Sequence, residues 1–565
     1  MPEISFQALN IIAYSKVLLV IAFVSYLLVL RYKNRTWLLA LLASVFLSAF
    51  YLILSFNFKK MWWGNNGDEI FIISFLSQSL LDNPLKDFFY HSLPAFYPPL
   101  YFWLTGIVSR PFVSNAISAA KIGLAITLFL WFIGTYYFQK IYQYISEKKI
   151  GTKLFSFNSR YFFIVPLLYL FILDFNDIIL KPYETLPALL LVILIGFIAE
   201  SFSCQKWSIK EYLFFAISGG LLFLSYYFWW FIAIPALFAL VIFSENKILN
   251  LKRLIIIGLG IFLVAAIYII PLFLSYLNGM ENWQALYFVP TDFSSFFPFS
   301  ILSWKGILML IGLIGLVINY RKPFFRANLF ILISCYLYQF VSIILFLSSK
   351  SPLQAAKPFL FLATATLVIG ASKLLMDAWF KYIAPLSGGK RYIASVVILT
   401  FSLSFWPMAS FMDDPVVRRQ IDINLEFPAS YYLANNIMDN VNEPEKRTWL
   451  SSGVPDINAY IPMKYFISHN PHFSHHAAKY SERLAFVDKL SNLNEEEFIT
   501  SINNSEIDAL LLYKQGDVDY FPIFFWQDNY PNGGKEGLIK IAKEKVYGLN
   551  WEMAYEDSEW LVYLK

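Results

Sequence analysis

The chain has 565 residues, 58% of them hydrophobic, 19% aromatic and only 15% charged. Soluble globular chains carry about 25% charged residues, so a soluble fold is excluded at the outset. The net charge of +5 says little by itself and gives no reason to expect a nucleic-acid partner; where the positive residues sit says more.

Apolar stretches of about 20 residues recur, the length that crosses a hydrocarbon core as a helix at about 1.5 Å per residue. Backbone polar groups in lipid must be satisfied within the segment, so these stretches are expected to be helices. In chain order the spans fall near 11–30, 37–56, 113–139, 161–180, 186–203, 211–227, 228–244, 254–275, 301–319, 328–348, 359–380 and 392–411, with a shorter apolar piece at 97–109. The first is expected to be a retained span, because no cationic region or small-residue cleavage site marks a signal peptide. Cys204 and Cys335 lie in or beside apolar helices and read as core residues, with neither disulfide nor zinc spacing. The pair Gly219–Gly220 reads as a close-packing position.

Basic residues mark alternate loops. One set holds Arg31, Lys33 and Arg35; Lys148, Lys149, Lys153 and Arg160; Lys206 and Lys210; Lys247, Lys252 and Arg253; Arg321, Lys322 and Arg326; Lys381, Lys390 and Arg391. The opposite set is poor in Lys and Arg. By the positive-inside rule the basic side is cytoplasmic. The long loop 57–97, the loops near 174–185, 276–300 and 349–358, and everything after 412 then share the outer side. From Asp413 the apolar runs shorten and Asp, Glu, Asn, Pro and His become frequent. Two domains are expected: 1–412 in the membrane, and an extracytoplasmic α/β domain over 413–565, about 150 residues, a usual domain size. In the latter, 508-DALLLY-513 and 560-WLVYLK-565 read as strands, 482-ERLAFVDKLSNL-493 and 536-EGLIKIAKEKVY-547 as helices.

The outer loops carry the candidate chemistry. Asp68 and Glu69 follow a Gly/Asn turn, 64-GNNG-67, and open an amphipathic helix just after a membrane helix ends. Carboxylates at a bilayer surface are costly unless solvated or partnered, which makes them functional candidates, and a carboxylate there suits a general base. The bland reading is equally simple: acids in a first helical turn complement the helix dipole. Lys181 and Lys357 stand at the mouths of apolar segments, where an ammonium serves a phosphate as a point charge or only snorkels to the headgroups. Tyr183 and Glu184 suit sugar hydroxyls, or an interfacial belt. Asp87 and His91 suit contacts with an acceptor, or are solvated loop residues. His469, His472, His475 and His476 fit no zinc spacing, so no metal site is assigned. Aromatic runs 226-YYFWW-230 and 295-SFFPF-299 fall at outer interfaces.

An acidic pair in the first large outer loop of a polytopic membrane protein resembles the C-type (GT-C fold) glycosyltransferases. More narrowly, 67-GDEIFIISFLSQSLLDNPLKDFFYHSLPAFYPPLYFWLTG-106, with Pro98, Pro99 and 101-YFW-103, resembles the signature loop of the galactan 5-O-arabinofuranosyltransferase family. Its tail resembles that family's through 470-NPHFSHHAAKYSERLAFVDKLSN-492 and 530-YPNGG-534. The resemblance implies a GT-C-like polytopic α-helical fold of about 12 transmembrane helices. It implies transfer of arabinofuranose from a polyprenyl-phosphate donor to a cell-envelope glycan, with inversion, at the outer face of the plasma membrane. It makes Asp68 the base with Glu69 beside it. Lys181 and Lys357 would receive the donor phosphate, and Asp87, His91, Tyr183 and Glu184 would contact substrate. No cofactor is implied with certainty; two adjacent acids are too few ligands to specify a divalent cation there. Two readings stay open: a GT-C transferase moving mannose or a modified pentose to protein or lipid, and a flippase for lipid-linked sugars. The second requires ionisable residues near the bilayer midplane and repeated broken helices, and neither is apparent. No nucleotide-binding motif is present, which argues against an ATP-driven pump.

Overall fold

The computed structural model describes residues 5–30, 36–81, 85–146, 161–283, 299, 302–404, 414–527 and 535–565. The basic clusters at 31–35 and 148–160, most of the loop 276–300 with 295–298 of its aromatic run, the end of the span 392–411, Asp413 and the turn 530–534 lie outside these residues. Among the described residues fifteen helices lie before residue 414: α1 (Phe6–Leu30), α2 (Thr36–Ser55), α3 (Asp68–Leu80), α4 (Leu100–Ser109), α5 (Ala116–Ser146), α6 (Tyr161–Ile172), α7 (Phe175–Leu180), α8 (Pro182–Ser201), α9 (Ile209–Tyr226), α10 (Phe228–Ile242), α11 (Lys247–Tyr276), α12 (Trp304–Ile318), α13 (Pro323–Ser349), α14 (Thr364–Ala378, entered through a π-turn at Phe359–Ala363) and α15 (Gly388–Ser404). Among the described residues seven helices are long and apolar enough to cross a membrane, and five shorter apolar helices accompany them.

α8 is the centre of the helical part. It is apolar on every side, as a helix surrounded by protein must be, and nearly all of it is buried. Pro182 stands at its first turn, where a missing N–H costs nothing. The expected span 161–180 proves to be two helices. Asp174 caps α7 by accepting the Asn176 N–H at 3.2 Å, so the chain stops and restarts there. Cys204 and Cys335 are free thiols, Cys335 buried. Arg253, assigned from sequence to a basic loop, lies within α11 and ties that helix to the loop after α8. Its guanidinium donates to the carbonyls of Cys204 (2.9 Å) and Gln205 (2.8 Å) and lies 4.9 Å from the Trp207 ring centroid.

Residues from 414 on carry α16 (Pro415–Ile423), α17 (Ala429–Asn440), α18 (Tyr480–Asn492), α19 (Glu495–Asn503) and α20 (Lys543–Tyr547), with seven strands: β1 (Thr448–Ser451), β2 (Lys464–Tyr465), β3 (Ala509–Tyr513), β4 (Tyr520–Gln527), β5 (Lys535–Ala542), β6 (Glu552–Glu556) and β7 (Trp560–Leu564). The main sheet has order β2-β1-β3-β7-β6; β2, β1 and β3 run parallel, and β7 and β6 antiparallel. Its side chains alternate between two cores, as the pleat requires. Trp449, Ala509, Leu511, Val562 and Leu564 join the core of the helical part. Leu450, Leu510, Leu512, Leu561 and Tyr563 join a second core with α18, α19 and the β4–β5 hairpin.

The expected strands at 508–513 and 560–565 and the helix at 482–493 are present. The expected helix at 536–547 is not: Lys535–Ala542 is β5, and only Lys543–Tyr547 is helical. Ile539 and Ile541 are buried and Lys540 between them is exposed, a period of two, and Gly537 lies so close under the Phe525 ring that a Cβ would come within 2.2 Å of it.

Small residues set the closest helix approaches. Gly219 and Gly220 face Ile261 and Val264 of α11, so the close-packing reading holds. At α12–α14 the backbones themselves touch: a Cβ on Gly370 would lie 2.0 Å from the Gly312 carbonyl oxygen. Gly370→Val therefore forces the two helices apart, and we expect a loss of about 1–3 kcal/mol, read as a lower Tm of the detergent-solubilised protein.

Candidate active site

The outer-side segments that sequence reading grouped together meet at one end of the helices. The turn at Gly64–Gly67 uses three left-handed residues, Gly64 (φ 79°), Asn65 (φ 66°) and Gly67 (φ 57°). Glu69 holds it: its Oε1 accepts the Trp63 N–H (2.7 Å) and its Oε2 the Asn65 N–H (3.0 Å). Trp62 Nε1 donates to Asn176 Oδ1 at 2.9 Å, fastening the turn to α7. With Glu69 folded inward and fully buried, the first turn of α3 presents Asp68 outward.

Asp68 Oδ2 pairs with Lys181 Nζ at 3.1 Å, and 42% of the Asp68 side chain is accessible. One turn along α8, Glu184 Oε1 pairs with Lys357 Nζ at 2.9 Å and is also approached by the Tyr97 hydroxyl at 3.4 Å. Glu184 Oε2 is buried without a hydrogen-bond partner. Lys357 Nζ lies 5.0 Å from the centroid of the Tyr226 ring. It is presented by a tight turn in which Leu353 (φ 51°) and Gln354 (φ 52°) are both left-handed, braced by the Tyr338 hydroxyl donating to the Leu353 carbonyl at 2.7 Å. Tyr97, Tyr183 and Tyr226 line the same space, the Tyr97 and Tyr183 rings 5.7 Å apart.

The C-terminal part closes the site. Asn470 caps the short turn Pro471–Phe473 through the His472 N–H at 2.8 Å. Phe473 then stacks on Phe71 of α3, ring centroids 6.3 Å apart. This brings His472 into the field of Asp68, Lys181 and Lys357. Sequence reading considered His472 only for a metal cluster; its place depends on how the loop docks, which no local pattern announces. The other histidines disperse. His469 Nδ1 lies 3.3 Å from the Phe524 carbonyl, and His475 and His476 pack on Phe96 and Tyr276.

Electrostatics separates the two acids. Lys181 holds the Asp68 carboxyl below the usual carboxylate range against its burial, with help from Lys357 and His472. Burial pushes Glu69 up to about 8, although its backbone donors pull the other way. Asp68 is therefore ionised at neutral pH while Glu69 is mostly protonated. Burial works to lower Lys181, and Asp68 and Glu184 outweigh it, so its ammonium is held above its ordinary value. Burial lowers Lys357 and Glu184 only partly restores it. Burial also takes His472 down to about 4, so its imidazole is neutral at pH 7.

Of the residues singled out in the sequence, Asp68, Lys181, Tyr183, Glu184 and Lys357 come together. Glu69 sits behind them as the brace of the turn. Asp87 is fully buried, and its Oδ1 accepts the Phe89 and Tyr90 N–H groups, both at 2.8 Å. Lys464 beside it donates to Gln78 and to the Asp87 carbonyl. Asp87 thus fixes the loop fold and is not open to a ligand. His91 is exposed, its Nε2 3.3 Å from the Arg447 carbonyl, and no contact joins it to the Asp68 cluster. Asp68 and Glu69 do not converge on a common point, since Glu69 spends both oxygens on its own turn. Among the described residues no group of three His, Cys, Asp or Glu side chains is placed to hold a metal ion.

Residues 4–118 and 180–388, more than half of the chain, match a family described as arabinofuranosyltransferase N terminal. Comparison with curated proteins gives no match. Among solved structures the chain is similar to ArnT from Cupriavidus metallidurans in the apo state (12% identity, 96% of this chain and 97% of that chain covered, TM-score 0.49). It is similar to the same protein bound to undecaprenyl phosphate (10% identity, 96% and 97% covered, TM-score 0.47). It is also similar to the oligosaccharyltransferase AglB from Archaeoglobus fulgidus with an inhibitory peptide and a dolichol-phosphate (13% identity, 92% and 77% covered, TM-score 0.46).

The brace and the open carboxylate are separable by mutation. Glu69→Ala leaves the buried Asn65 amide and the part-buried Trp63 amide without their acceptor, a loss of about 1–3 kcal/mol for a buried amide; we expect a clearly lower Tm. Asp68→Asn replaces a partly solvated pair and is expected to leave Tm within a few degrees, as about 1 kcal/mol would.

Proposed function

The chain belongs to the arabinofuranosyltransferase N-terminal family, and from that premise we propose that it is an inverting membrane glycosyltransferase. In this reading it moves a sugar, arabinofuranose, from a polyprenyl-phosphate carrier to a hydroxyl of a cell-envelope glycan. It works at the outer face of the plasma membrane, where residues 413–565 form the extracytoplasmic domain. The observation that carries it is the pair of ion pairs Asp68–Lys181 and Glu184–Lys357 gathered at the starts of the apolar helices α8 and α14.

Those helix ends lie where the phosphate of a lipid carrier would rest, its chain along apolar surface. Asp68, ionised and partly accessible, accepts the proton of the acceptor hydroxyl as its oxygen attacks the anomeric carbon from the face opposite the phosphate. The bond from that carbon to the phosphate oxygen breaks, and the phosphate leaves with the electron pair. Lys181 and Lys357 meet the charge that develops there, stabilising the transition state more than the ground state. Lys357, lowered by burial, gains most from a dianionic neighbour. Tyr97, Tyr183 and His472, all near the pairs, supply neutral hydrogen-bonding groups for sugar hydroxyls.

The test uses protein in nanodiscs with a panel of prenyl-phosphoryl sugars and oligosaccharide acceptors. Transfer from the arabinofuranosyl donor is expected, with kcat reduced about 10²–10⁴-fold in Asp68→Asn, the usual contribution of a general base. Transfer from a different donor alone would discard arabinose and keep the mechanism. Movement of lipid-linked sugar across vesicles with no transfer would replace the reading by a flippase.

The pH profile checks the base independently. Because Lys181 lowers the Asp68 pKa, the base loses its proton below the ordinary carboxylate value and wild-type kcat/KM stays flat from pH 7 down to about 5. In Lys181→Met the largest lowering charge is gone, and burial is opposed only by the weaker pull of Lys357 and His472. The acid limb then moves up by about 1–3 pH units, whatever the change in absolute rate.

A further inference from the structure

The loop 466–478 joins β2 to α18, and one side chain holds both of its ends. The Arg483 guanidinium donates through Nη1 to the Phe466 carbonyl (2.7 Å) and through Nε to the Ala478 carbonyl (2.8 Å). Its central carbon lies 4.9 Å from the Phe466 ring centroid and 5.3 Å from that of Tyr90. Its Nη2 points outward to the exposed Glu506 at 3.3 Å. A guanidinium is a planar fork with fixed donor directions, so the two carbonyls stand where the fork puts them. Compact loops with closed ends, held on a rigid scaffold, are a usual place for functional side chains.

Tyr90 is a second pin, inside the loop. Its buried hydroxyl accepts the Ser468 N–H (3.2 Å) and shares a hydrogen bond with Ser474 Oγ (2.8 Å). Further along, the His476 carbonyl accepts the Glu281 N–H at 2.8 Å. Between Ser468 and Ser474 lie Asn470, His472 and Phe473, the part of the loop that enters the reaction site. His472 is buried there, and Asp68, Lys357, Lys181 and His476 all act on its imidazole. Arg483 itself makes no hydrogen bond or ion pair with Asp68, Lys181 or Lys357 among the described residues. Its influence on the site therefore runs through the loop.

We propose that Arg483 is a positioning residue: it clasps both ends of the loop 466–478 and so fixes His472 in the field of Asp68 and its lysines, where the imidazole meets a sugar hydroxyl. Its part in transfer rests on the transferase reading above; the placement of His472 stands on the loop alone. The experiment uses the full chain in nanodiscs, labelled at histidine Cε1. The chain has five histidines, and each signal is assigned from a single His→Gln variant. In wild type His472 is expected to stay neutral down to about pH 4, with His91, outside the loop, as reference. In Arg483→Met the clasp is gone, and the His472 titration is expected to rise by about one pH unit or more toward the ordinary value near 6.5. Arg483→Lys keeps the charge and loses the fork; it is expected to shift His472 in the same direction, and it carries the test if Arg483→Met unfolds. Glu506→Gln opens only the outward pair and is expected to move nothing. An unmoved His472 in folded Arg483→Met or Arg483→Lys, or an equal shift in Glu506→Gln, overturns the clasp. In the transfer assay His472→Ala and Arg483→Met are each expected to lower kcat/KM about tenfold, the size of one lost hydrogen bond. The double variant is expected to lose no more than about twofold further, since one residue acts through the other. Losses that multiply, or transfer unchanged in both single variants, overturn the part in transfer. A shifted His472 in a protein that transfers nothing keeps the clasp and overturns the transferase reading.

Discussion

Two ion pairs held at the ends of apolar helices are the constraint on which the site depends. A charge taken out of water costs several kcal/mol even after relaxation, and here four charged groups, Asp68, Lys181, Glu184 and Lys357, are drawn close together. Each is tolerable because a partner is fixed beside it. The partners come from separate parts of the chain: α3, the start of α8 and the turn before α14. The Glu184–Lys357 pair, nearly sealed from solvent, depends most on its partner, while the Asp68–Lys181 pair stays partly solvated. Under the proposed function the same arrangement serves an incoming phosphate, since lysines already oriented exchange a carboxylate for a phosphate with little reorganisation.

The division of labour between Asp68 and Glu69 shows how a two-residue motif acquires two roles. They are adjacent in sequence and share a helical turn, so they point about 100° apart on the helix. One direction leads to the lysine, the other into the backbone of the preceding turn. The left-handed residues Gly64, Asn65 and Gly67 give the turn its shape. The buried carboxyl of Glu69 supplies acceptors for amides that the turn would otherwise leave unpaired, and Asp68 is free to face outward only because its neighbour does this.

Much of this was legible in the sequence. Hydropathy located most of the membrane helices, and the positional logic of outer loops picked Asp68, Lys181, Tyr183, Glu184 and Lys357, which do meet. The failures have physical causes. Asp87 and His91 look alike in sequence, polar residues in a polar loop, yet one is sealed by Lys464 and Gln78 and the other is exposed; that difference is made by packing against the C-terminal part. His472 reaches the site only because Phe473 docks on Phe71, a contact about 400 positions apart along the chain. The misread helix at 536–547 has apolar residues whose spacing suits either period, and strand pairing with β4 decided it. Asp174 broke the span 161–180 through a single side-chain cap, too local a signal to alter a hydropathy profile.

The burial of α8 has a consequence for how such a site diversifies. A helix enclosed on all sides cannot rotate or slide without disturbing every neighbour, so Lys181, Tyr183 and Glu184 are as rigid as the scaffold itself. The turn that presents Lys357 is different. It holds two non-glycine residues in the left-handed region and is secured to α13 by the Tyr338 hydroxyl. Under the proposed function, new donor preferences would therefore arise by insertions and substitutions in that turn and in the histidine-bearing loop, while the start of α8 stays fixed. A search for sequences that retune the donor would vary 351–357 and 469–476 and leave 181–184 untouched.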